Sequence, residues 1–217
     1  MIKSELIVCL LFSVFTVFAQ QQDEKAKSIL AKVTENTQSF KTIKCSFSYV
    51  MDNKSADIHE VNNGTMLMEG EKYYLKIPKM GIEVYRNEKT VWNYMSDANE
   101  VTINNTEDSS DAIDPSTLFS FYNEGFIYHF TGEKNNDGKS LYIIDLTPEK
   151  GKEKACTEIR LFIDKKKMLV KEAILKNEDG NNYIITISDM KTNVPVKESD
   201  FVFEAGKHPG AEVVDLR

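Results

Sequence analysis

Apolar residues along this chain follow three successive patterns. The first is an apolar run, Leu6 to Phe18, which follows the single positive charge of Lys3 and stops at Val17-Phe18-Ala19. Charge, apolar stretch and small residue in that order are the marks of a secretory signal. At about a dozen residues the run is too short for a transmembrane helix, which needs roughly 20, so cleavage is expected after Ala19, leaving a mature chain of residues 20–217. No later segment is apolar and long enough to span a bilayer. The second pattern follows a polar lead of glutamines. Asp23 is placed to cap a helix in which Ala26, Ile29, Leu30, Val33 and then Phe40 recur at helical spacing on one face.

From Ile43 the period becomes two. Ile43, Cys45, Phe47, Tyr49 and Met51 alternate with Lys44, Ser46, Ser48, Val50 and Asp52, which predicts a strand half exposed to water. Strand patterns recur at Ile58 to Glu69, Tyr73 to Ile77, Ile82 to Arg86, Thr90 to Met95 and Glu100 to Ile103. Turn-forming stretches separate them at Glu69-Gly70-Glu71, Pro78 to Gly81 and Asn87-Glu88. A polar, acidic run from Asn104 to Asp114 has little to bury and is read as a loop. Asp114-Pro115 then opens a short helix carrying Leu118, Phe119, Phe121 and Tyr122. Further strands are expected at Phe126 to Phe130, Leu141 to Leu146, Cys156 to Ile163, Met168 to Lys176, Asn182 to Met190 and Phe201 to Phe203, with connections at Gly132 to Gly138 and Asn177 to Gly180. The fold class is mainly β (α+β): one antiparallel meander of about eleven strands in a single domain. A sheet of that width curls.

Charge and candidate chemistry mostly exclude. Removing the signal takes away one Lys and one Glu, so the mature chain keeps the formal charge of -7 and has no electrostatic reason to seek nucleic acid or an anionic membrane. Cys45 and Cys156 enter an oxidising compartment, where either two buried thiols or one long-range disulfide is possible. Neither has a second Cys or His at ligand spacing, so no metal is expected. His59, His129 and His208 lie far apart, and there is no nucleophile elbow, HExxH or glycine-rich phosphate loop. An enzyme is not expected, nor any cofactor. What asks for explanation is apolar residues on consecutive strand positions, Met66-Leu67-Met68 and Tyr73-Tyr74-Leu75, which put apolar side chains on both faces. Methionine suits a hollow of variable shape, and Trp92 and Tyr94 add area with a polar tip. An ordinary packed core would give the same pattern.

The order of elements resembles the periplasmic outer-membrane lipoprotein carriers, the LolA-type chaperones, over nearly the whole mature length. The residues that carry the resemblance are the early helix into Phe40 to Phe47, then Gly64-Thr-Met-Leu-Met, Glu71-Lys-Tyr-Tyr-Leu-Lys, Lys89-Thr-Val-Trp92-Asn-Tyr94, Asn99-Glu100-Val101, Leu146-Thr-Pro148, Thr186-Ile-Ser-Asp-Met and Ser199-Asp200-Phe201-Val-Phe203. The resemblance implies an incomplete barrel with helices on its concave face and an apolar cavity for the acyl chains of a lipoprotein. Such a carrier is a periplasmic monomer that takes cargo from an inner-membrane release complex to an outer-membrane acceptor. It makes Met66, Met68, Tyr73, Leu75, Trp92 and Tyr94 candidates for the cavity wall, and Leu118, Phe119 and Tyr122 candidates for a lid. Many members carry an Arg-Pro pair after the second long strand that holds the lid shut. Here that stretch reads Glu69-Gly70-Glu71, so the lock does not carry over. The rival from another class is a lipid- or lipoprotein-binding sensor of the same fold that acts on a membrane partner.

Overall fold

The period-two stretches fold into one twelve-stranded sheet, seen in a computed structural model that describes residues 14–107, 125–136, 138–151, 154 and 156–217. A helix, α1 (Val14–Gln38), leads into β1 (Ile43–Asn53), β2 (Ile58–Glu69), β3 (Lys72–Ile77), β4 (Ile82–Arg86), β5 (Thr90–Met95) and β6 (Glu100–Asn105). The second run comprises β7 (Phe126–Asn136), β8 (Lys139–Pro148), β9 (Glu158–Asp164), β10 (Leu169–Lys176) and β11 (Asn182–Thr192), and the chain ends with β12 (Glu212–Asp215). The strand order is β12-β6-β5-β4-β3-β2-β1-β11-β10-β9-β8-β7. Two antiparallel meanders are thus joined where β1 pairs with β11, and β12 adds in parallel to β6. β7 and β12 remain as edges, so the sheet is open and does not close into a barrel.

Several expectations change in detail. The helix starts at Val14, so Asp23 lies within it and does not cap it; no helix-breaking residue separates Ala19 from Asp23 to stop the turn there. Phe40 lies just past the helix end, half-buried. β6 runs to Asn105, two residues into the polar run, because Asn104 and Asn105 pair with Val91 and Thr90. Gly132 is a bulge inside β7 and not the start of a connection: the register shifts between Phe130 and Gly132, and φ of 147° at Gly132 is open to glycine. The strand expected at Phe201 to Phe203 is replaced by a 3-10 turn over Glu198–Phe201. There the Asp200 carboxylate accepts the Lys197 N–H at 2.8 Å and holds the chain in a turn. The twelfth strand, Glu212–Asp215, was too short to show an alternation. The expected helix from Pro115 lies outside the described residues.

One face of the sheet carries α1 and two apolar layers. In the first, Ala26, Ile29, Leu30 and Val33 of the helix pack with Ile144, Leu146, Ile159, Leu161, Ile163, Val170 and Ala173 of β8 to β10. The second joins Cys45, Met66, Met68, Tyr73, Leu75, Ile77, Val84, Val91 and Ile187 across β1 to β5 and β11, and no described side chain of α1 belongs to it. Burying each large apolar side chain contributes about 1.5–3 kcal/mol, so both layers are needed to hold a sheet this wide.

Residues 193–211 cross the opposite face as a strap. Its root is tied by Thr42 Oγ1, which donates to the Val194 carbonyl at 2.7 Å, and by the Lys41 N–H, which donates to Asn193 Oδ1 at 2.9 Å. Phe201, fully buried, anchors its middle. Phe203 and His208 lie against Tyr94 at ring-centroid distances of 5.7 and 4.3 Å.

Candidate functional site

Cross-strand register decides which side chains share a face. Cys45 stands opposite Met66, Met66 opposite Leu75 and Leu75 opposite Val84, while Met68 stands opposite Tyr73. Four of the expected wall residues, Met66, Met68, Tyr73 and Leu75, therefore come together in the second layer of the helix face. Ile77, Val84 and Val91 complete it. These three were missed in the sequence, although Ile77 shares parity with Tyr73 and Leu75.

Trp92 and Tyr94 do not join them. Tyr85 pairs with Trp92 and Glu83 with Tyr94, which puts both aromatics on the strap face, where Tyr94 packs under Phe203 and His208. Alternation in β5 showed that Trp92 and Tyr94 share a face but not which one; the inward position is Val91, fully buried. Leu118, Phe119 and Tyr122 lie outside the described residues.

The second layer grades into a more open floor. Along β1 the helix-face positions Phe47, Tyr49 and Met51 are only half-buried. Phe47 lies across β2 at Gly64, where an added Cβ would stand 2.4 Å from the Phe47 ring. Tyr49 stacks on Tyr183 with centroids 5.8 Å apart. Burial, helped by Tyr183 and Glu60, pushes the Tyr49 phenol up to about 12, so it stays neutral at physiological pH. Where the two layers meet, a cavity of about 580 Å³ opens between the end of α1, β10 and β11. Phe40, Val170, Ile187 and Met190 supply its apolar wall, and Asn36 and Lys171 stand among its polar residues.

Burial pushes the Cys45 thiol up to about 11 and raises that of Cys156, which suppresses the thiolate form of both. The two cysteines are free and sit in different layers, so of the two readings left open by the sequence the pair of buried thiols holds. Among the described residues no cluster of three His, Cys, Asp or Glu could hold a metal ion, and no helix is long and apolar enough to cross a membrane. Arg86 marks the margin of the layer, its guanidinium 5.9 Å from the Tyr73 ring centroid. Beside the Glu69-Gly70-Glu71 turn the contacts lie on the other face: Lys72 reaches Glu69 at 2.9 Å and Glu198 of the strap at 2.8 Å.

An open, almost wholly antiparallel sheet of twelve strands with a helix over part of one apolar face defines a mainly-β protein. The chain belongs to the family of the outer membrane lipoprotein carrier protein LolA, whose family model matches residues 38–204. Among curated proteins none matches significantly. Among solved structures, an uncharacterized conserved protein from Thermus thermophilus is similar at 15% identity and a TM-score of 0.59, over 88% of this chain and 99% of that one. The MucA/MucB complex of Pseudomonas aeruginosa is similar at 16% identity and a TM-score of 0.50, over 83% of this chain and 62% of that one. A putative outer membrane lipoprotein-sorting protein domain from Vibrio parahaemolyticus follows at 12% identity and a TM-score of 0.49, over 82% and 97%. At these identities the likeness is one of fold.

Proposed function

We propose that this chain is an exported periplasmic carrier that holds the acyl chains of lipidated proteins against its helix face and moves them from the inner to the outer membrane. The observation that carries the reading is the apolar floor on that face, where the Met66, Met68, Tyr73 and Leu75 layer borders half-buried Phe47 and, further along β1, half-buried Tyr49 and Met51. Burying an acyl chain contributes about 0.8 kcal/mol per CH₂. That is enough to retain a lipid and still release it to an acceptor offering a better-shielded site. The methionines suit cargo of variable chain shape.

Two measurements test the reading. Native mass spectrometry of protein recovered from the periplasm is expected to show bound acyl species. Met51→Asp, which puts a charge on the half-buried floor, is expected to weaken uptake of a fluorescent fatty-acid probe at least tenfold, while Val61→Asp on the strap face leaves it unchanged. A clean unliganded mass together with no probe uptake would replace this reading with that of a protein-binding sensor of the same fold.

A further inference from the structure

Three lysines near the strap are ion-paired. Lys76 reaches Glu83 at 2.7 Å, Lys207 reaches Glu204 at 3.0 Å, and Lys72 bridges Glu69 and Glu198. Lys44 and Lys191 differ. They stand directly opposite one another across β1 and β11, both exposed, and neither has an ion-pair or hydrogen-bond partner among the described residues. Directly opposed residues in an antiparallel pair have Cβ atoms roughly 4.5–5.5 Å apart, and like charges there are destabilising. An anion held between the two ammonium groups would relieve that repulsion.

The pair lines a groove of about 790 Å³ between the strap face and residues 194–208. Four lysines, Lys44, Lys76, Lys191 and Lys207, line it against two carboxylates, Glu83 and Asp200. Both carboxylates are already engaged. Glu83 accepts from Lys76, Tyr74 and Tyr85, and Asp200 accepts the Lys197 N–H. Lys76 and Lys207 are paired with Glu83 and Glu204, so the lining keeps a small positive excess, Lys44 and Lys191 against Asp200, on a chain whose formal charge is -7. Next to Lys44 in the same row of the sheet come Leu67 and then Tyr74, which packs on Tyr85 with centroids 4.6 Å apart. A charged end and an apolar wall thus lie side by side.

We infer that the Lys44/Lys191 pair and the adjoining Leu67, Tyr74 and Pro195 wall form a second binding site, on the face away from the acyl floor, for a small phosphate or carboxylate that carries an apolar stem. The anion bridges the two ammonium groups and relieves their repulsion, and the stem lies on the tyrosine side of the groove. The site is independent of the carrier reading, because the sheet separates it from the helix face.

Thermal unfolding at fixed ionic strength, with sodium chloride as the reference salt, tests the site with inorganic phosphate, phenyl phosphate, benzoate and the neutral control benzyl alcohol. Phenyl phosphate and benzoate are expected to raise Tm saturably, and inorganic phosphate less so. Benzyl alcohol is expected to leave Tm unchanged. Lys44→Gln and Lys191→Gln are each expected to raise Tm in low salt without added anion, by relieving the repulsion, and to lose at least tenfold in phenyl phosphate affinity. Chemical-shift changes on titration should localise to residues 44, 67, 74 and 191. A Tm response of the same size in the Lys44→Gln/Lys191→Gln double variant would overturn the assignment, as would the absence of any saturable shift in the wild-type chain. The fatty-acid probe binds the double variant normally on this account, so failure of this site and failure of the acyl floor are read separately.

Discussion

Gly64 holds its place because two neighbours leave no room for a side chain. A Cβ there would stand 2.4 Å from the Phe47 ring and 2.7 Å from the Lys76 carbonyl oxygen. The ring can turn away, but the carbonyl is fixed in the ladder between β2 and β3. Gly64→Ala is therefore expected to cost about 1–3 kcal/mol, the usual range for overpacking, and denaturant unfolding would measure it. A change below about 0.5 kcal/mol would mean the strands yield freely at this point. Glu83 is the comparable polar case. Burial raises its carboxyl, but hydrogen bonds from Lys76, Tyr85 and Tyr74 outweigh that and hold it below its ordinary value of 4.5. A carboxyl depressed by folding adds stability at higher pH, and that stability is lost as pH falls through the folded-state value. Tm is thus expected to fall on acidification below about 4.5, and Glu83→Gln to flatten that part of the profile. An unchanged acid limb in the variant would show that the hydrogen bonds to Glu83 add no net stability.

At the scale of elements, the helix and the strap divide the two faces of the sheet. Among its described side chains, α1 places Ala26, Ile29, Leu30 and Val33 against the first layer. No described side chain of α1 belongs to the second layer, and Phe47, Tyr49 and Met51 beside it are half-buried. The strap closes the other face through Phe201. Phe201→Ala removes a fully buried ring and is expected to cost about 3–5 kcal/mol, as large core truncations do. It should loosen residues 193–211 in hydrogen exchange and leave fatty-acid uptake on the helix face intact at temperatures where the sheet is folded. Loss of uptake in step with loss of stability would mean that the two faces do not act separately.

For the molecule as a whole, one sheet serves as the partition between an apolar floor and a positive groove, within a chain whose formal charge is -7. Much of this was legible beforehand. Period-two alternation located ten of the twelve strands to within two residues and β7 with its end six residues short, while the last expected piece is a turn. Helical spacing found the buried face of α1. Met66, Met68, Tyr73 and Leu75 stood out because apolar residues filled consecutive positions. Trp92 and Tyr94 lie on the face away from Met66 and Leu75 for a physical reason: alternation fixes which residues share a side, while the side itself is set by pairing with β4 and by the strap that covers it. The parallel strand β12 was invisible because four residues carry too little pattern, and its place depends on the exposed edge of β6. Lys44 and Lys191 are 147 positions apart in the chain, 191 less 44, and only the pairing of β1 with β11 brings them face to face. Local periodicity, turn residues and the order of motifs were thus determined by the sequence alone. Which face each residue serves, and which distant residues meet, was decided by strand register and by the return of the C-terminal strap, because those are set by the free energy of the whole sheet and not by any one segment.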